Sequence, residues 1–208
     1  MERLRIQVIA GVTAAVGLLL VITSGKDGAS TFLKAYSYAI TISTLLFLAY
    51  DRRLWHFRWV RKLTGEPDLR GTWKGTLRSS YKRNGQAIAP IPFILRVTQT
   101  ASSIKLTLFT GESTSVTEQA RLAKDNDGRW KVSWTYSNAP RPAVRDRSDR
   151  HLGASEVFIA SDGLEGSYYT DRLTRGELDL KEWSKTEFDS LQQAYGNPAS
   201  FGTPHPLP

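Results

Sequence analysis

The decapeptide Arg129-Trp130-Lys131-Val132-Ser133-Trp134-Thr135-Tyr136-Ser137-Asn138 alternates large apolar and polar side chains along its whole length. Successive side chains of a strand point to opposite faces, so Trp130, Val132, Trp134 and Tyr136 share the buried face of one β-strand. Ile104, Leu106 and Leu108 repeat the pattern upstream. Working outward from these two segments, turn signals recur about every ten to twelve residues after Glu66-Pro67, an all-β signature. Eight strands are predicted, over 69–82, 88–100, 103–110, 113–123, 129–138, 151–160, 164–172 and 177–188. Asn84-Gly85, Asp127-Gly128 and Asp162-Gly163 suit tight hairpins that require positive φ, and Arg175-Gly176 is read as closing another. Consecutive hairpins imply an up-and-down order. Eight antiparallel strands with no covering helix leave open edges that closure removes, so the reading is mainly β, an eight-stranded up-and-down antiparallel barrel over residues 66–190. A two-sheet sandwich would also accommodate the strands. Residues 191–208, Gly/Pro-rich from Tyr195, are read as a flexible tail.

Upstream of the strands the pattern is different. Residues 6–23 form an uncharged apolar run, and residues 32–50 form a second, interrupted only by Lys34. At ~1.5 Å rise per residue each is about 27–29 Å long as a helix, close to the thickness of a bilayer's hydrocarbon core. Residues 1–65 are therefore expected to form a two-span transmembrane hairpin, turning at Ser24 to Ser30. The flanks orient it: Arg3 and Arg5 precede the first run, and Arg52, Arg53, Arg58, Arg61 and Lys62 follow the second. The positive-inside rule places both termini in the cytoplasm, at the inner membrane, with Trp55, Phe57 and Trp59 as an interfacial collar. Small residues at Ala10, Gly11, Ala14 and Ala15, with hydroxyls at Ser37, Thr41 and Thr44, suit close helix pairing.

Composition removes several kinds of chemistry. The chain of 208 residues has no cysteine, which excludes disulfides, thiolate nucleophiles and cysteine-ligated metals. Of its three histidines only His151 falls within the barrel, so no metal centre or cofactor is expected. The net charge is +8, but residues 1–66 hold nine Lys/Arg against four acids, leaving only +3 for the longer remainder. Basic residues beside apolar runs suit an anionic lipid surface rather than a DNA or RNA polymer. Ser148, Asp149 and His151 lie too close in sequence for a triad, and neither a nucleophile elbow nor a phosphate loop occurs, so an enzyme is not expected.

Candidate ligand-binding residues cluster late in the chain. Gly166, Tyr168, Thr170 and Arg172 fall on one face of a strand, aligning a ring, a hydroxyl and a guanidinium. Such a set suits a phosphorylated nucleoside: guanidinium grips phosphate at two points and rings stack on bases. The plainer reading pairs Arg172 with Asp171 or Glu177 and buries Tyr168 as core. Arg150, His151, Tyr136 and Asn138 flank a basic loop, Arg141 to Arg150, whose Asp146 and Asp149 offset part of its charge. Trp73, in Gly71-Thr72-Trp73-x-Gly75, and Arg78 complete the set, with Trp73 also suited to sealing one barrel end in the manner of a lipocalin.

Two apolar runs, a basic and aromatic collar, then a barrel opening Gly-Thr-Trp-x-Gly and closing Gly-x-Tyr-x-Thr-x-Arg-x-x-x-Gly together resemble a known family. These are the two-transmembrane β-barrel effectors of bacterial cyclic-oligonucleotide anti-phage signalling, CBASS. The resemblance implies that the barrel binds a cyclic dinucleotide made by a partner nucleotidyltransferase. It also implies that the protein then self-assembles into a homo-oligomer and disrupts the inner membrane, halting growth. Rival readings are a membrane-tethered carrier of an apolar molecule, a filled scaffolding barrel without a ligand, and a membrane-bound hydrolase built around His151.

Overall fold

The computed structural model describes residues 11–19, 22 and 28–204. The chain divides between Val60 and Arg61 into two compact units. In the first, residues 11–19 are helical, and a 22-residue helix, Gly28–Ala49, runs into a π-helical turn, Tyr50–Leu54. Ala39 and Ser43 are buried on that helix, and a Cβ added to Gly17 would touch Ala39 at 3.8 Å, so the two helical stretches meet through small residues. Ser37 and Thr41 spend their hydroxyls on their own helix, donating to the carbonyls of Leu33 and Ser37 at 2.9 Å. Most large apolar side chains on this helix face outward.

Among the described residues no helix is long and apolar enough to cross a membrane. The expected two-span hairpin is therefore without support here. Lys34, six serines and threonines and two tyrosines within Gly28–Ala49 dilute its apolar character, and the expected first span lies partly outside the described residues. Within the expected collar, Trp55 is buried while Phe57 and Trp59 are exposed.

The second unit is a closed antiparallel barrel. Its strands are β1 (Gly71–Ser79), β4 (Ile91–Gln99), β5 (Ile104–Thr110), β6 (Ser113–Lys124), β7 (Trp130–Pro140), β8 (His151–Ala160), β9 (Gly163–Thr170) and β10 (Arg175–Ser184). Around the barrel the order is β1-β10-β9-β8-β7-β6-β5-β4, the up-and-down meander closed by β1 pairing with β4. A separate two-stranded hairpin, β2 (Lys82–Arg83) with β3 (Gln86–Ala87), stands in the β1–β4 connection. Asn84 (φ 52°) and Gly85 (φ 79°) turn that excursion rather than joining two barrel strands. Arg175-Gly176 begins β10 instead of turning; the β9–β10 turn is made by residues 171–174, where Leu173 itself takes φ 60°.

Alternation sets the interior. On β7 the side chains of Trp130, Val132, Trp134, Tyr136 and Asn138 are all buried. Val132, Trp134 and Tyr136 meet Trp73, Phe93, Leu95, Val97, Leu106, Leu164, Leu178 and Leu180 in a single core. One end of the barrel is plugged: Trp73 is 1 % exposed and its indole donates to the Leu69 carbonyl at 2.9 Å. Gln99 fastens the same end, accepting from Leu69 N (2.9 Å) and donating to the Pro67 carbonyl (3.0 Å).

The segment expected to be a flexible tail is held against the barrel as far as Gly202, which bridges to Trp183. A short helix, Leu191–Gly196, and a 3-10 turn, Pro198–Ser200, lie against the outer wall. Phe188 and Ala194 bury Ile94, which points outward from β4, while Phe201 stacks on Phe188. Lys74, also outward on β1, is held over the rings of Phe201 and Tyr195, and Arg96 pairs with Asp189. Ile94 on β4 and Phe109 on β5, apolar positions of the outer face, need this cover, which a Gly/Pro-rich composition does not announce.

Candidate functional site

At the end opposite Trp73 the interior changes character. Ser79, Thr110, Ser115, Asn138, Ser155 and Thr170 replace aliphatic side chains, and a cavity of about 590 Å³ opens there. That volume falls inside the roughly 300–1,000 Å³ range typical of small-molecule sites. The barrel is thus packed at one end and hollow at the other.

Six of the nine candidate residues line this cavity: Tyr136, Asn138, His151, Tyr168, Thr170 and Arg172. The other three do not. Trp73 belongs to the plug at the far end. Arg78 lies between inward-facing Leu77 and Ser79 on β1, so strand parity turns it outward, where it sits 4.0 Å from Glu177. Arg150 is exposed, immediately before β8.

Each of the two tyrosine rings is seated by a glycine. A Cβ at Gly153 would lie 2.8 Å from Cε2 of Tyr136 and nearer still to Cζ and Oη; one at Gly176 would lie 2.7 Å from Cε1 of Tyr168. At Gly153 the ring alone excludes a side chain, whereas at Gly176 the Arg78 carbonyl of the paired strand lies nearer still than the ring. Tyr168 donates to Ser79 Oγ at 2.8 Å. Burial, reinforced by the neighbouring Tyr168, pushes the Tyr136 hydroxyl up to about 12, and burial also raises that of Tyr168. Both rings are therefore neutral donors at physiological pH. Asn138 donates to Ser113 Oγ (3.0 Å) and Ser115 Oγ (2.8 Å), while its Oδ1 is buried with no partner among the described residues. An acceptor left in that state costs about 1–3 kcal/mol.

The rim is cationic. Tyr168 and Thr170 point inward from β9 as strand parity requires, and Arg172 lies beyond the strand end, in the turn. Its Nη1 donates to Ser148 Oγ at 3.1 Å and to the Asp149 carbonyl, not to Asp171 or Glu177. Arg147 reaches the same mouth, paired with Glu112, and His151 Nδ1 sits 3.2 Å from the Asp149 carbonyl. Arg83, from the β2–β3 hairpin, lines the mouth from another side. Sequence reasoning did not single out Arg83, Ser79 or the Ser113–Ser115 pair. The alternation on β1 and β6 held the signal for the serines, but nothing local marks Arg83 as part of the site. Neutral tyrosines, hydroxyls and an amide oxygen without a partner in the wall, with guanidiniums at the rim, suit a ligand with aromatic, hydrogen-bonding bases and anionic phosphates.

Comparison with known proteins agrees with that chemistry. Residues 64–182 match the model of a family described as "Cap15, cyclic dinucleotide receptor domain". The chain is also similar to "CD-NTase-associated protein 15" of Staphylococcus schleiferi, with 26 % identity over 165 residues, covering 79 % of this chain and 88 % of that protein.

Proposed function

The chain belongs to the Cap15 cyclic dinucleotide receptor domain family, and from that premise we propose that its barrel senses a cyclic dinucleotide as the effector of an anti-phage CBASS system. The observation that carries this reading is the convergence of Tyr136, Asn138, His151, Tyr168, Thr170 and Arg172 on one cavity. Bases enter toward the tyrosines and Asn138, whose unpartnered Oδ1 accepts from a base N–H; phosphates remain at the rim with Arg172, Arg147 and His151. A wall rich in hydroxyls favours this polar ligand over an apolar cargo, and an open cavity argues against a merely filled barrel. The name of the staphylococcal relative supports a functional link to a nucleotidyltransferase that makes the ligand.

The response is proposed to be self-assembly of the protein at the inner membrane and its disruption, with the barrel on the cytoplasmic side. Support comes from the uncharged run over 6–23 and from Leu33, Ile40, Ile42, Leu45, Leu46 and Leu48, all outward on Gly28–Ala49 with Arg52 and Arg53 just beyond. Titration calorimetry of the full chain against a panel of cyclic dinucleotides tests the sensing step, with Arg172→Ala expected to weaken binding about 10- to 100-fold, or ~1.5–3 kcal/mol for a charge-assisted contact. Dye-loaded liposomes test the response. Leakage that proceeds equally without any nucleotide would defeat the sensing role.

A further inference from the structure

Arg83 and Arg147 lie on two separate connections of the barrel, and Arg172, from the β9–β10 turn between them, reaches over to the loop that carries Arg147. The 80–90 segment joins β1 to β4, and the 141–150 loop joins β7 to β8. In the closed order β1-β10-β9-β8-β7-β6-β5-β4, four strands separate these connections in either direction, so they stand opposite each other across the mouth. A ring of eight strands about 4.8 Å apart and tilted by ~40° is about 16 Å across. Arginines extending inward from both sides bracket a ligand of small-molecule size.

The two sides are not equivalent. Arg147 is paired with Glu112, and Arg172 is tied to Ser148 and the Asp149 carbonyl. Arg83 lines the mouth with no ion pair among the described residues. Its hairpin pairs only with itself, and residues 80–87 are exposed. The root of the hairpin nevertheless connects to the cavity: Ser79 Oγ accepts from the Tyr168 hydroxyl at 2.8 Å and from Tyr81 N at 3.1 Å. A ligand that stacks on Tyr168 therefore acts on a group two bonds of hydrogen bonding away from the hairpin.

We propose that Arg83 is a ligand-binding residue that takes the second phosphate of the ligand, drawing the β2–β3 hairpin over the mouth as a lid. This rests on the cyclic-dinucleotide reading and sharpens it. A cyclic dinucleotide carries its two phosphodiesters on opposite sides of one macrocycle; a mononucleotide has phosphate on one side only. The Arg147–Arg172 side holds one phosphate in either case, and Arg83 acts only when a second is present. The site thereby discriminates in favour of the cyclic molecule through a bidentate guanidinium contact.

The test uses the full-length chain with cyclic di-adenylate, cyclic di-guanylate and the mixed cyclic adenylate–guanylate, together with AMP and GMP. Affinity is measured by calorimetry, and protection of residues 81–88 by hydrogen exchange, in the wild type and in Arg83→Gln, Arg83→Lys and Arg172→Ala. Arg83→Gln is expected to weaken the tightest cyclic dinucleotide about tenfold or more, leave mononucleotide binding within twofold, and abolish ligand-induced protection of the hairpin. Arg83→Lys should recover part of the affinity. Wild-type affinity and hairpin protection in Arg83→Gln, with binding lost in Arg172→Ala, would overturn the lid while leaving the sensing role intact. If no cyclic dinucleotide binds the wild type, the sensing role fails and the lid with it.

Discussion

Gly153→Ala is a small change whose sign depends on a single neighbour. Gly153 is not among the residues with positive φ, so its backbone accepts an L-residue without strain. Replacing a glycine in such a conformation stabilises by about 0.4–1 kcal/mol, because the unfolded chain loses freedom. Against this, the new methyl would sit 2.8 Å from Tyr136 Cε2 and closer to Cζ and Oη, where ordinary contact begins at 3.4 Å. The ring must retreat about 1 Å into the cavity, and overpacking of this kind costs about 1–3 kcal/mol. The net expectation is a loss of about 1–2 kcal/mol, which for a domain of this size is roughly 2–8 °C in Tm. In a Tyr136→Leu background the obstruction is gone, and the same substitution should be neutral or stabilising by up to about 1 kcal/mol. Urea denaturation of the four proteins gives the coupling energy directly, expected near 2 kcal/mol. Equal losses in both backgrounds would refute the claim that Gly153 exists to seat the Tyr136 ring.

Further outcomes follow from the same geometry. Gln99→Leu strands the buried Leu69 N–H and Pro67 carbonyl, so denaturation should show a loss of roughly 2–5 kcal/mol, far above that of an exposed glutamine. Because the Tyr136 hydroxyl is raised to about 12, the folded protein keeps a proton that the unfolded chain releases near pH 10. Its stabilising effect is complete below about pH 10 and is lost as pH rises toward 12, at no more than ~1.4 kcal/mol per pH unit; Tyr136→Phe should flatten that decline in chemical denaturation. Phe201→Ala removes the ring that stacks on Phe188 and covers Lys74. It should cost about 1–2 kcal/mol and open residues 185–204 to limited proteolysis, while unchanged cleavage would show that the outer-wall contact is weak.

The barrel was legible because its determinants are local. Alternation on β7 and β5, together with Asp127-Gly128 and Asp162-Gly163, specifies strands and turns over spans of about ten residues, and closure follows from having eight of them without a covering helix. Strand parity likewise placed Tyr168 and Thr170 on the inner face of β9. Two readings made without that parity count fared differently: Arg78 stood among the candidates although Leu77 and Ser79 claim the inner face, and Arg175-Gly176 was expected to turn although it begins β10. The Gly/Pro-rich end looked unable to pack, yet Phe188 and Phe201 find outward apolar partners on strands nearly a hundred residues away in sequence.

What the amino-acid order alone determined is the strand periodicity, the up-and-down path and the inward placement of Tyr136, Tyr168 and Thr170, since each depends on neighbours within one hairpin. Tertiary structure decided which end of the barrel is plugged and which is hollow. Those properties depend on which side chains from eight separate strands meet at one level. Trp73, Leu69 and Gln99 close one level, while Ser79, Asn138, Thr170 and the rim arginines leave the other open. Arg83 faces that opening only because closing the ring brings the β1–β4 connection opposite the loop that carries Arg147.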